Sequence, residues 1–159
     1  MTEILPGHRP SVQDRLLRAT RLPGIGRLAY LTLKVLGVEF PRSVEWAGPI
    51  QLAHGSVGLV VHSATRIGSR VTILPGVVIG MADAHMPPGT LPPGGRVIIG
   101  DDVTLGAGAK VLFRAGQELV VAAGTVVGAN AVLLESTGEG EVWAGLPARR
   151  VDVLQHRVR

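Results

Sequence analysis

The chain carries five histidines and no cysteine. The missing cysteine excludes disulfides, thiolate metal sites and thiol nucleophiles. His8 and His156 lie near the termini and read as surface residues. His62 occupies a repeat position where glycine is common and reads as an outward-facing structural residue. Two candidate bases remain. His54 sits in Leu52-Ala53-His54-Gly55-Ser56-Val57-Gly58, a flexible glycine-rich stretch, and His85 sits two residues after Asp83 in a segment rich in Pro and Gly. An imidazole titrates near neutrality and can take a proton from a hydroxyl, so either residue suits group transfer to an alcohol. Residues 54, 62 and 85 lack the close His pair that a zinc site uses, and no metal is expected. No nucleophile elbow, P-loop or dinucleotide fingerprint occurs.

The element that must position these residues is a six-residue ladder. Large aliphatics recur at Val61, Ile67, Ile73 and Ile79, then Ile99, Leu105 and Val111, then Val121, Val127 and Leu133. Small or β-branched residues follow four places later, at Thr65, Val71, Val77, Val103, Ala109, Thr125 and Ala131. Six is a multiple of the strand period of two and does not fit the helical 3.6, so the aliphatics share one strand face. A hexapeptide repeat predicts an all-β solenoid, a parallel β-helix whose inward aliphatics stack along its interior. Aromatics make up only 3% of the chain, which fits a narrow aliphatic interior, and 22 Gly with 11 Pro fit many corners.

Three parts follow from this. Residues 1–37 form a short N-terminal helical segment, with Ser11 capping a helix from Val12 to about Arg21 and a second helix over Ile25 to Leu36. The second helix either caps one end of the solenoid or meets a membrane surface or a partner. Residues 38–151 form the β-helix, interrupted by an extruded loop at 80–96 and a smaller insertion at Phe113-Arg114-Ala115-Gly116. Residues 152–159 form a basic tail. The net charge is +4 with Arg concentrated at both ends, but no basic patch interleaves with aromatics, so no nucleic-acid partner is expected. No apolar run is long enough for a membrane span, and the N-terminus lacks a signal-peptide layout, so a cytoplasmic location is expected.

Four pieces together resemble the hexapeptide-repeat acyltransferases, most closely the serine acetyltransferase branch and its short polysaccharide-associated relatives. They are the helix followed by Gly37-Val38-Glu39; Leu52-Ala53-His54 through Gly58-Leu59-Val60-Val61; Leu105-Gly106-Ala107-Gly108-Ala109-Lys110-Val111-Leu112; and Ala144-Gly145-Leu146-Pro147-Ala148-Arg149. The resemblance implies a left-handed parallel β-helix, a homotrimer, and acyl-CoA in the groove between neighbouring subunits. It implies His54 as catalytic base and Glu39, fifteen residues earlier, as the carboxylate that orients it.

The resemblance also implies that Ala107, Gly108, Ala129 and Gly145 lie along the cofactor, and that Arg149 and Arg150 meet its phosphates. The family's Arg-His pair at the end of the loop is replaced by Gly95 and Arg96. Arg96, with Asp83 and His85, is therefore the expected acceptor-binding set. The expected function is CoA-dependent O-acyl transfer, most simply acetyl from acetyl-CoA, to a small hydroxylated acceptor. The competing readings are a non-catalytic trimeric scaffold or binding module, and a β-helix metalloenzyme of the carbonic anhydrase kind.

Overall fold

The structure is a computed structural model and describes residues 10–87 and 89–153. Among the described residues, two short helices, α1 (Val12–Ala19) and α2 (Gly26–Val35), precede fifteen strands arranged in three sheets. The first sheet orders β1 (Val38–Glu39), β4 (Leu59–Val61), β7 (Val78–Met81), β10 (Lys110–Phe113) and β13 (Val132–Leu133). The second contains β2 (Glu45–Trp46), β5 (Thr65–Ile67), β8 (Arg96–Ile99) and β11 (Glu118–Val121). The third runs β3 (Ile50–Leu52), β6 (Val71–Ile73), β9 (Thr104–Leu105), β12 (Val126–Val127), β14 (Glu141–Gly145) and β15 (Ala148–Val153). From β1 to β13 the chain visits the three sheets in strict rotation, and every pairing among these strands is parallel. Among the described residues only the closing pair, β14 with β15, is antiparallel.

The pairing register explains the ladder. Val61 stacks on Ile79, 18 positions on, so one turn takes three hexads, one per sheet. The ladder aliphatics point inward and stack on one another; Ile73, Ile79, Leu105, Val111, Val121, Val127 and Leu133 are fully buried. Each such side chain contributes roughly 1.5–3 kcal/mol by leaving water. The small residues of the repeat are inward too, from Thr65 to Ala131.

Departures from 18 locate the insertions. Leu52 stacks on Ile73 after 21 positions, Ile79 on Val111 after 32, and Val111 on Leu133 after 22. The extra residues fall between β3 and β4, between β7 and β8, and between β10 and β11. The first and the second therefore lie on opposite edges of the first sheet.

The helices close the open end of the first turn. Ser11 caps α1 through a capping box: its hydroxyl accepts the Asp14 N–H at 3.1 Å, and the Asp14 carboxylate accepts the Ser11 N–H at 2.7 Å. Pro23 and Gly24 separate the two helices, as the sequence predicts, and Gly37 follows α2 with φ 78°. Arg21 joins the helices to the second sheet. Its guanidinium lies 3.4 Å from the Trp46 ring centre and donates to the Trp46 carbonyl at 2.6 Å.

Candidate active site

The stretch around His54 is a bulge of three extra residues, and it has a defined conformation. His54, Gly55 and Ser56 all take left-handed backbone, with φ of 52°, 76° and 46°. Two of these are not glycine, and a non-glycine residue pays about 1–2 kcal/mol there. The surroundings hold the turn. The buried Ser56 hydroxyl donates to the Ile73 carbonyl at 2.6 Å, and the Leu52 N–H donates to Asp14 Oδ1 at 2.8 Å. A Cβ on Gly55 would meet the Gln13 amide at 2.8 Å, so α1 lies directly against the turn. The imidazole of His54 is left exposed at its crest. A flexible stretch is the expectation from composition; bracing from α1 and β6 makes it a fixed one.

The register carries this position up the molecule. Leu52, Ile73, Leu105, Val127 and Trp143 stack in one row of the third sheet. His54, Ala107, Ala129 and Gly145 each stand two residues beyond a member of that row. They fall on the edge between the third and first sheets. Beside them runs a second row, Gly58, Gly76 and Gly108, with φ of 81°, 73° and 71°; a Cβ on Gly58 would lie 3.4 Å from the Gly76 Cα, and one on Gly76 3.5 Å from the Gly108 Cα. The edge thus exposes backbone rather than side chains, which lets an extended ligand lie close. Lys110 stands at this edge, its ammonium donating to the carbonyls of Gly108 at 2.6 Å and Gly76 at 3.2 Å. Lys110 stands inside the Leu105–Leu112 piece quoted above without a role assigned to it, and the register of β10 puts it here.

Comparison with known proteins gives the arrangement its context. The chain is 31% identical over 124 residues to a serine acetyltransferase of Staphylococcus xylosus, covering 78% of this chain and 52% of that one. It is 30% identical over 124 residues to a serine acetyltransferase of Helicobacter pylori (strain ATCC 700392 / 26695), covering 78% of this chain and 66% of that one. A solved serine acetyltransferase in complex with CoA superposes with a TM-score of 0.64 at 26% identity, over 87% of this chain and 52% of that chain. In sequence and in fold the chain is thus similar to serine acetyltransferases. It spans about half to two-thirds of the length of the curated relatives it matches. No family model matches it.

The structure unites one part of the expected set and separates another. His54, Ala107, Gly108, Ala129 and Gly145 share one edge. Asp83 and His85 lie in the loop on the opposite edge of the first sheet, and Arg96 opens β8 where that loop ends. A strand of three to four residues spans about 10–13 Å, so the two groups are a sheet width apart within one chain.

Several expected roles meet competing partners. Glu39 is not bonded to His54. Its Oε1 accepts the Tyr30 hydroxyl at 2.7 Å and its Oε2 pairs with Lys34 at 2.8 Å, because α2 packs over β1. These bonds, the Lys34 one first, hold the Glu39 carboxyl below its usual range, and the Tyr30 hydroxyl is raised in turn. The fifteen-residue offset also misses the register: Glu39 stacks under Val60. Asp83 accepts the Ala115 N–H at 3.1 Å and so fastens the loop to the insertion at 114–117. Arg96 pairs with Glu118 at 2.6 Å beside a hollow of about 590 Å³ that Glu45, Arg66 and Gln117 also line.

At the closing hairpin, Arg149 pairs with Glu135 at 3.1 Å and Arg150 with Glu141 at 3.2 Å. His62 accepts the Ala64 N–H and packs edge-on against Phe113 with ring centres 5.1 Å apart, a structural role. His85 is exposed. His8, His156 and most of the basic tail lie outside the described residues. No group of metal-ligating side chains occurs among the described residues.

Proposed function

We propose that this chain is a CoA-dependent O-acetyltransferase acting on a small hydroxylated acceptor, with His54 as its base. The observation that carries the reading is the shared edge. A braced, exposed imidazole stands in line with three positions, Ala107, Ala129 and Gly145, whose small side chains leave backbone open to an extended cofactor. The sequence likeness to serine acetyltransferases and the fold match to one in complex with CoA support it. We further read the rotation of three parallel sheets as a left-handed β-helix, and the working form as a homotrimer. In a trimer the His54 edge of one subunit and the loop edge of the next can line one groove. The split of candidates between two edges of the first sheet favours that arrangement.

In the proposed reaction His54 takes the proton of the acceptor hydroxyl. The oxygen attacks the thioester carbonyl; the C–O bond forms and the C–S bond breaks. The CoA thiolate leaves and takes up the proton. Lys110 stands at the same edge as a fixed positive charge beside the developing oxyanion or the departing thiolate. Glu39 acts at one remove, tying α2 to β1. The loop carrying His85, with Arg96 at the start of β8, selects the acceptor, and Arg149 and Arg150 meet the cofactor phosphates by exchanging their carboxylate partners.

The test is thiol release from acetyl-CoA against serine and a panel of hydroxylated acceptors. His54→Ala should lower turnover about 10²–10⁴-fold while His85→Ala leaves the thioester chemistry standing. Near-normal turnover in His54→Ala overturns the assignment.

A further inference from the structure

We propose that the outward face of α2 is a docking surface for an anionic lipid bilayer. This helix is apolar on two sides. Gly26, Ala29 and Leu33 face the protein and are buried. Leu28, Leu31 and Val35 face away, with exposures of 67%, 49% and 86%. At 100° per residue these three fall on one outward stripe, and Ile25, 52% exposed, extends it. Leu22 in the connecting turn and Val12 on α1 are exposed as well. A surface helix of a water-soluble unit presents polar residues outward; one that is apolar on both sides has a second apolar contact to make.

Charge identifies the occupant. Between Pro10 and Leu36 the single acidic residue is Asp14, which is buried in the α1 cap. The same span has Arg15, Arg18, Arg21, Arg27 and Lys34. Arg21 is spent on Trp46 and Lys34 on Glu39, while Arg15, Arg18 and Arg27 are exposed and carry no carboxylate partner among the described residues. Arg27 lies on the helix face next to Leu31. An aliphatic stripe on a helical span whose exposed charges are all cationic has the composition of a helix that lies in the plane of an anionic interface. The stripe is wholly aliphatic, whereas a shape-matched protein interface concentrates Trp and Tyr anchors. No helix among the described residues is long and apolar enough to cross a membrane, so the contact is peripheral. Because α1 packs on the His54 turn, docking brings the first turn of the coil nearest the bilayer. This inference stands on the helices alone and does not rest on the proposed reaction.

The experiment is vesicle flotation of the full chain. One set of vesicles is phosphatidylcholine alone, the other contains about one-third phosphatidylglycerol, and each is tested at low and high salt. Binding to the anionic vesicles should be about tenfold or more tighter, and should weaken as salt rises. Leu28→Ser with Val35→Ser, both at exposed positions, should abolish flotation. Arg15→Gln with Arg18→Gln and Arg27→Gln leaves the stripe intact and should remove the preference for phosphatidylglycerol. Circular dichroism of each variant checks that the fold survives. Absence of flotation with anionic vesicles overturns the proposal, as does a serine double variant that floats like the parent. A serine variant with half the parent's solution mass and no lipid binding in either protein assigns the stripe to a second copy of the chain and overturns it equally.

Discussion

Asp14 Oδ1 accepts the backbone N–H of Leu52 at 2.8 Å, joining the first turn of α1 to the residue that enters the His54 bulge. Asp14 is buried, and its other oxygen holds Ser11. One carboxylate thus serves both the helix cap and the candidate base. Asp14→Ala removes the cap partner and strands a buried N–H, and should cost about 2–4 kcal/mol in chemical denaturation. Turnover at temperatures where the variant is folded should fall as well, because the His54 turn loses its brace. Asp14→Asn, which keeps an oxygen for Leu52, should lose less on both measures.

Phe113 supports the loop. Its fully buried ring packs edge-on to His62, and a Cβ on Gly95 would meet it at 2.8 Å. Phe113→Ala should cost about 3–5 kcal/mol and leave a void beneath the loop's return strand. Limited proteolysis should then cut between residues 82 and 95 at protease levels that spare the parent protein.

Ala129 tests the cofactor edge without touching the core. It is exposed and stands two residues past the stacked Val127. Ala129→Leu should leave stability within about 0.5 kcal/mol. Under the proposed function it should raise KM for acetyl-CoA about tenfold, the scale of one misplaced side chain in a contact groove, with a smaller change in kcat.

The Glu39 cluster gives a pH dependence of known sign. Lys34 first, and then Tyr30, hold the Glu39 carboxyl below its ordinary value of about 4.3. A depressed carboxyl stabilises the fold above the unfolded value, and that contribution is lost as pH falls through the lower folded value. Melting curves from neutrality to about pH 3 should therefore drop less steeply in Glu39→Gln than in the parent protein. An identical slope in both would mean that the cluster is solvent-screened in solution.

The stacked interior is legible in the sequence because a six-residue period carries every third hexad back to the same sheet. That Val61 and Ile79 share an inward face follows from spacing alone; that they stack as neighbours, three hexads to a turn, comes from the pairing register. The helix start at Ser11 is equally legible, since the cap and its Asp14 partner are local in sequence. The pairing of Glu39 with His54 fails for a physical reason. The turn containing the bulge takes 21 residues, so an offset of fifteen ends a full corner short. The bracing of Leu52 by Asp14 has no sequence signature, because its acceptor serves a backbone N–H that any residue could supply. The loop candidates are similar: Asp83 reads as a ligand in one dimension and proves to be a fastener for Ala115.

The extra residues between β7 and β8 lie outside a register that is continuous beneath them. Thr65 pairs with Val97 and Ile67 with Ile99 as though the loop were not there. Hydrogen bonds in such an array reach only the turns above and below, so an excursion at one corner leaves the others undisturbed. The 82–95 segment is therefore an exchangeable part. A change in its length or sequence would leave the register that carries the His54 bulge in place.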